Sequence, residues 1–139
     1  MKIPLKFALV VGLSCFMLTG CIPQTGQSGI NGKDEYVKGA MVPNFPALPL
    51  YRGAQVVESY GFQDNFGAVF ISGDDLSKVF QFYNDSLPKL GWDTSVTRKG
   101  TDNFTFNIKN DKQQGTVIVN TAADSKKTAI TMSISPRVQ

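Results

Sequence analysis

A single amphipathic stripe narrows the fold more than any other feature of this chain. Leu76, Val79, Phe80, Tyr83, Leu87 and Leu90 recur at intervals of three, one, three, four and three, which gathers them on one side of a helix. Ser72 and Asp74 stand just ahead as N-cap oxygens, and Asp74-Asp75 put negative charge where the helix dipole favours it. Pro88 should tighten or kink the last turn, and Gly91 is placed to cap it. No second stripe of this period follows. The remaining apolar residues alternate instead, most clearly in Phe104, Phe106 and Ile108 and in Ile130, Met132 and Ile134, with polar residues between them.

Strands are therefore expected at 54–62 and 66–72, separated by Gln63-Asp64-Asn65, and again at 92–97, 103–109, 116–122 and 128–135. The loops between the last four read RKGTD, NDKQQG and ADSKK. One apolar face and one helix predict an α+β fold: an antiparallel sheet of about six strands in the order ββαββββ, packed on the helix. A chain of 139 residues holds one such domain. With 42% hydrophobic residues, 18% charged and ten phenylalanines, it has material for a real core.

Residues 1–20 carry Lys2 and Lys6, then an apolar run from Phe7 to Leu18, and no acid, the layout of a secretory signal peptide. The run covers ~12 residues against the ~20 that a membrane-crossing helix needs. Its end, Leu18-Thr19-Gly20-Cys21, resembles the lipobox of bacterial lipoproteins. That resemblance implies cleavage between Gly20 and Cys21, lipidation of Cys21 with palmitate among its acyl chains, and a mature chain that begins at residue 21. Two or three acyl chains anchor a protein stably, whereas one does not. Cys15 would leave with the signal peptide, so no disulfide is available. Lys2 and Lys6 leave with it, and the mature chain keeps 12 basic residues against 11 acidic. That +1 balance gives no reason to expect nucleic-acid binding. In a Gram-negative cell, Ile22 stands where the lipoprotein pattern places an inner-membrane retention aspartate, which favours the outer membrane, on its periplasmic or surface face.

Residues 21–50 fall into two parts. From Ile22 to about Ala40, Gly, Gln, Ser and Asn without apolar periodicity read as a flexible tether. Residues 41–50, MVPNFPALPL, place prolines at 43, 46 and 49 between apolar residues. They form either a strap over the domain or a partner-docking segment anchored by Phe45 and Leu48. The domain proper is assigned to 51–139. Its run GAVFISGDDLSKVFQFYNDSLPKLGW, with Phe82-Tyr83, Leu87-Pro88 and Gly91-Trp92, resembles a small domain type of bacterial exported lipoproteins. More loosely, one long helix gripped by an antiparallel sheet is similar to the helix-grip domains of the lipoprotein subunit of the outer-membrane β-barrel assembly machine. Neither resemblance implies an activity.

Chemistry is sparse. The chain has no histidine, which excludes a Ser-His-Asp triad, a Cys-His pair and any His-ligated metal. Asp74-Asp75 read as helix-start acids, and Asp102, Asp111 and Asp124 are loop acids. Asp64-Asn65 and Asn110-Asp111 are too short for a calcium loop, so no metal ligand set and no cofactor site is expected. Ser77-Lys78, and Ser86 with Lys89, read as solvated surface. Arg98, Lys99, Lys126 and Lys127 lie in alternate turns of the meander and would meet at one end as a basic rim for an anionic partner. The expected function is a non-enzymatic, lipid-anchored binding or scaffold module contacting envelope proteins. The alternatives are a small envelope hydrolase using carboxylates, and a lipid or glycan carrier with Phe62, Phe66, Phe82 and Trp92 around a cavity between helix and sheet.

Overall fold

The computed structural model describes residues 35–124 and 126–138. Its elements are β1 (Glu35–Lys38), β2 (Ala54–Phe62), β3 (Asn65–Ser72), α1 (Leu76–Lys89), β4 (Asp93–Arg98), β5 (Asn103–Lys109), β6 (Gln113–Thr121) and β7 (Thr128–Pro136). All seven strands join one antiparallel sheet in the order β1-β2-β3-β7-β6-β5-β4. The fold is α+β as expected, with one strand more than expected. The addition is β1, which arises inside the residues read as a tether. Tyr36 and Val37 suit a strand, and the long β2 offers them an open edge, with Tyr36 facing Tyr60 and Lys38 facing Glu58.

Helix α1 lies on one face of this sheet. Val79, Tyr83 and Leu87 are buried against Phe106, Ile108, Val117, Val119, Ile130 and Met132, and Phe80 stacks between Phe104 and Phe106. Burying side chains of this size stabilises the fold by about 1.5–3 kcal/mol each. The Tyr83 hydroxyl is held well above its ordinary titration range, chiefly by burial. Leu90 leaves the expected stripe: it is the C-cap residue and points to solvent. Pro88 does tighten the last turn. The Leu90 N–H is shared between the carbonyls of Ser86 and Leu87, Gly91 takes a left-handed φ of 84°, and the N–H groups of Gly91 and Trp92 donate to Pro88 and Leu87. That pair of bonds closes a Schellman cap.

The Pro-rich segment is a strap over the open side of the core. The Val42 N–H donates to Ser59 Oγ, which itself donates to the Ala40 carbonyl, both at 2.8 Å. The Trp92 indole N–H donates to the Ala47 carbonyl at 3.2 Å. Val42 and Leu48 are buried, and Phe45 packs edge-on against Phe66. Leu48, read as a possible docking anchor, is buried in the core, and Phe45, read as the other, is half-buried against Phe66, while Leu50 at the end of the strap is exposed.

Register decides which residues face away from the helix. The β2–β3 hairpin turns through Gln63 and Asp64 at φ 47° and 62°, the positive-φ pair of a two-residue hairpin, braced by Asn65 Nδ2 donating to the carbonyls of Phe62 and Gln63. A bulge at Val57 separates the Val56–Phe70 pair from Glu58–Val69. One extra residue reverses the alternation beyond it. Ser59 and Gly61 consequently face the core, while Tyr60 and Phe62 face outward.

Candidate functional site

Two neighbouring rows of side chains cross the outer face of the sheet. Following the register strand by strand, Tyr36 lies beside Tyr60, then Gly67, Ser133, Thr116, Asn107 and Ser95. The adjacent row runs Phe62, Asn65, then Ser135, Gln114, Lys109 and Asp93. Toward β1 and β2 both rows are aromatic; toward β4–β7 they are polar. Between the polar parts lies a groove of about 440 Å³, walled by Ser95, Asn107 and Thr116 on one side and Asp93, Lys109, Gln114 and Ser135 on the other, with Thr94, Ile108 and Gly115 along its floor. Such a volume falls within the range of small-molecule sites.

The groove is nearly neutral. Among the described residues its only charges, Lys109 Nζ and Asp93 Oδ2, pair with each other at 3.2 Å. The side chains of Ser95, Asn107, Gln114, Thr116 and Ser135 make no hydrogen bond to another described residue. Gly115 sets the shape of the floor, because a β-carbon there would collide with the Ser133 carbonyl and crowd Ile134. A glycine within a strand marks close backbone approach of this kind. Gly67 plays a different part in the same sheet: the Tyr60 ring occupies the space its side chain would fill.

At the other end of the domain, Tyr51, Asp74 and Lys78 form a compact group. Tyr51 donates its hydroxyl to Asp74 Oδ2 at 2.7 Å, and Lys78 Nζ donates to Asp74 Oδ1 at 2.9 Å. A β-carbon at Gly53 would stand 2.5 Å from Asp74 Oδ2, so glycine leaves room for the carboxylate. The expected side-chain cap is not made: Asp75 is the N-cap residue and forms no side-chain cap bond, while Ser72 Oγ accepts from the Asp74 N–H. The helix start is pinned by the main chain instead, through Thr128 Oγ1 donating to the Asp74 carbonyl. The Tyr51 hydrogen bond, followed by that of Lys78, holds the Asp74 carboxyl below its usual range. Lys78 is raised, first by its hydrogen bond to Asp74, and Tyr51 is raised, first by burial. A general base or nucleophile needs the opposite shifts. The group has the chemistry of a latch between strap and helix.

The β4–β5 and β6–β7 turns emerge at one end, joined by the Thr121 N–H donating to the Asp102 carbonyl. Arg98, Lys99, Lys126 and Lys127 are exposed there. Arg98 is partly engaged: its Nε donates to the Gly100 carbonyl and its guanidinium lies 5.3 Å from the Phe104 ring centre. The other acids do not form a pair of catalytic design. Asp124 accepts from the Lys126 N–H, Asp102 sits by the rim, and Asp111 occupies the turn at the opposite end. Ser86 bonds the Phe82 carbonyl and Lys78 bonds Asp74, so neither serine-lysine set is assembled. Among the described residues no three Cys, Asp or Glu side chains cluster as a metal site.

The four aromatics expected around an inner cavity are not brought together. Phe66 packs with Phe45, Phe82 with Tyr51 and Tyr83, and Trp92 is buried in the core beneath the strap, while Phe62 stands on the outer face. Gly20, Cys21 and the signal-peptide residues lie outside the described residues. Among the described residues, no helix is long and apolar enough to cross a membrane.

A START domain-like family profile matches residues 54–129, more than half of the chain, from the first residue of β2 into β7. The chain belongs to the START domain-like family. The START domain-like match takes in α1 and every groove residue except Ser135, and leaves β1 and the strap outside it. No curated protein and no solved structure matches the chain.

Proposed function

We propose that this protein is a lipid-anchored, non-catalytic binding module of the bacterial cell envelope, held at the membrane through Cys21 and presenting its START domain-like domain to envelope partners. The observation that carries the reading is the direction of the chain. Glu35 enters β1 opposite Gly61, at the hairpin end of β2 and β3, whereas the rim with Arg98, Lys99, Lys126 and Lys127 lies at the other end of the sheet. An anchor on the chain ahead of Glu35 would leave the rim directed away from its own membrane, toward a partner. Local concentration at the membrane then lets a modest contact suffice.

The test is recovery of the protein from its own membranes in mild detergent after brief crosslinking. A defined co-purifying complex, lost in the double variant Lys126→Glu, Lys127→Glu and released from the membrane in Cys21→Ser, is the expected result. Recovery at monomer mass with no partner, or membrane retention of Cys21→Ser, would overturn it.

A second reading, ligand binding by the domain itself, is favoured by the groove. Its lining is preformed and neutral, with five side chains left free to make hydrogen bonds. The burial of Val79, Tyr83 and Leu87 among the sheet's inner side chains favours placing such a ligand on the outer face.

A further inference from the structure

We infer that the outer face of the sheet is a binding site for a neutral oligosaccharide, lying along the groove between β4 and β7 and reaching the Tyr60 ring. The inference deepens the binding-module reading and rests on it.

Three independent features agree on this ligand class. The first is charge. Ser95, Asn107, Gln114, Thr116 and Ser135 are neutral, and the one cation in the groove is already paired with Asp93. Among the described residues, a phosphate or carboxylate would find no unpaired cation lining the groove, and an ammonium no unpaired anion. A ligand rich in hydroxyl groups meets its own kind. The second is reciprocity: serine and threonine hydroxyls donate and accept, and the amides of Asn107 and Gln114 each do both. Sugar hydroxyls likewise donate and accept, so every one of these side chains has a use for them. The third is an aromatic platform in line with the row. Tyr60 is 44% exposed, and its ring lies over Gly67, where the absent side chain lets it settle. The C–H face of a sugar ring packs on an aromatic ring of this kind, while its rim of hydroxyls turns to polar neighbours.

Spacing supports an extended ligand. From Tyr60 the same row passes Gly67, Ser133, Thr116, Asn107 and Ser95 on successive strands, with strands ~4.8 Å apart. A sugar unit is about as long as that step, so a chain of about five units crossing the strands would present one ring per strand from the platform over Gly67 on β3 to Ser95 on β4, and one of about four would reach Asn107 on β5. A globular polar ligand would use the groove and leave Tyr60 untouched.

The test uses the full lipidated chain in detergent micelles with chitotetraose, maltotetraose and cellotetraose as probes. Saturation-transfer NMR detects which probe binds, and calorimetry gives its affinity. At least one tetrasaccharide is expected to bind. Tyr60→Ala should weaken it about tenfold, and Asn107→Ala about two- to tenfold, the loss expected for one or two neutral hydrogen bonds. Tyr60→Phe keeps the platform and should retain affinity. Gly67→Ala displaces the ring and should weaken binding without deleting any side chain that contacts the sugar. Lys126→Glu with Lys127→Glu should leave it unchanged. Circular dichroism confirms that each variant is folded. Absence of saturation transfer to all three probes, or affinity that Tyr60→Ala and Asn107→Ala leave unaltered, would overturn the inference and leave the module reading standing. Mass spectrometry of the recovered sugar separates the two claims further: an intact tetrasaccharide is expected, whereas shortened products would place binding here but overturn the non-catalytic reading.

Discussion

The two faces of the sheet are built from the same strands yet obey different rules. On the inner face, side chains from β3, β5, β6 and β7 interlock with Val79, Tyr83 and Leu87, and Phe106, Val117, Val119 and Ile130 have no exposed surface at all. On the outer face the same strands carry hydroxyls and amides, most of them free of internal partners, and β1 and β2 add a pair of tyrosines. Shape is fixed from the inside and chemistry is displayed on the outside. Substitutions on the inner face should therefore read out as stability, and substitutions on the outer face as binding.

The largest expected effect follows from Phe106→Ala. Removing this ring opens a cavity against Phe80 and Tyr83 and should cost about 3–5 kcal/mol, measured by urea unfolding. A loss under about 1 kcal/mol would mean that the helix is less firmly seated than its burial implies.

The two strand glycines sharpen the contrast, because one identical change is made on each face. Gly115→Ala drives a β-carbon into the Ser133 carbonyl, a neighbour that moves only with its strand. A cost of about 1–3 kcal/mol is expected, as for other overpacked sites. Gly67→Ala meets only the Tyr60 ring, which is free to swing into solvent, so its cost should stay near the ~0.5 kcal/mol typical of surface changes. Equal losses in the two variants, compared by thermal melts, would break the distinction.

A smaller effect, and one with a pH signature, belongs to Asp74. Its carboxyl titrates lower in the folded protein than in the unfolded chain, so its contribution to stability is present above the ordinary carboxylate range and fades as pH falls through the folded value. Asp74→Asn should be less stable than the natural sequence at neutral pH, with the difference shrinking below about pH 4. Denaturant titrations at pH 7 and pH 3 would check this; a gap that widened on acidification would refute the latch. The smallest effect should come from Asn107→Ala, within about 0.5 kcal/mol, despite its proposed importance for binding.

Much of the inner face was legible in the sequence because it is local. The stripe from Leu76 to Leu87, the alternation of β5 and β7, and the cap at Gly91 each show within a dozen residues. The outer face was not, for two physical reasons. β3 pairs with β7 although Ser72 and Thr128, their nearest partners in sequence, are 56 positions apart, and only that pairing aligns Gly67 with Ser133 and so joins the tyrosines to the polar row. The bulge at Val57 is equally silent: alternation continued from Ala54 and Val56 would send Tyr60 and Phe62 inward, whereas the extra residue sends them out. β1 was missed because four residues are too few to establish a period. The shared end of the β4–β5 and β6–β7 turns was legible because the meander order is simple, and the Asp74 latch was missed because Tyr51 and Asp74 lie 23 residues apart.

The short strand β1 also has a mechanical meaning. The chain arrives at Glu35 and runs antiparallel to β2, from the hairpin end inward. A pull on the chain ahead of Glu35, directed away from that end, acts along the strand axis. The ladder bonds between β1 and β2 then carry the load side by side, in shear, where a pull across the strand would open them one after another like a zip. Behind them the Ser59 bonds to Ala40 and Val42 form a second stop. In the membrane-anchored module proposed above, four residues of edge strand would thus work as a strain relief, keeping drag on the domain from reaching the core beneath the helix.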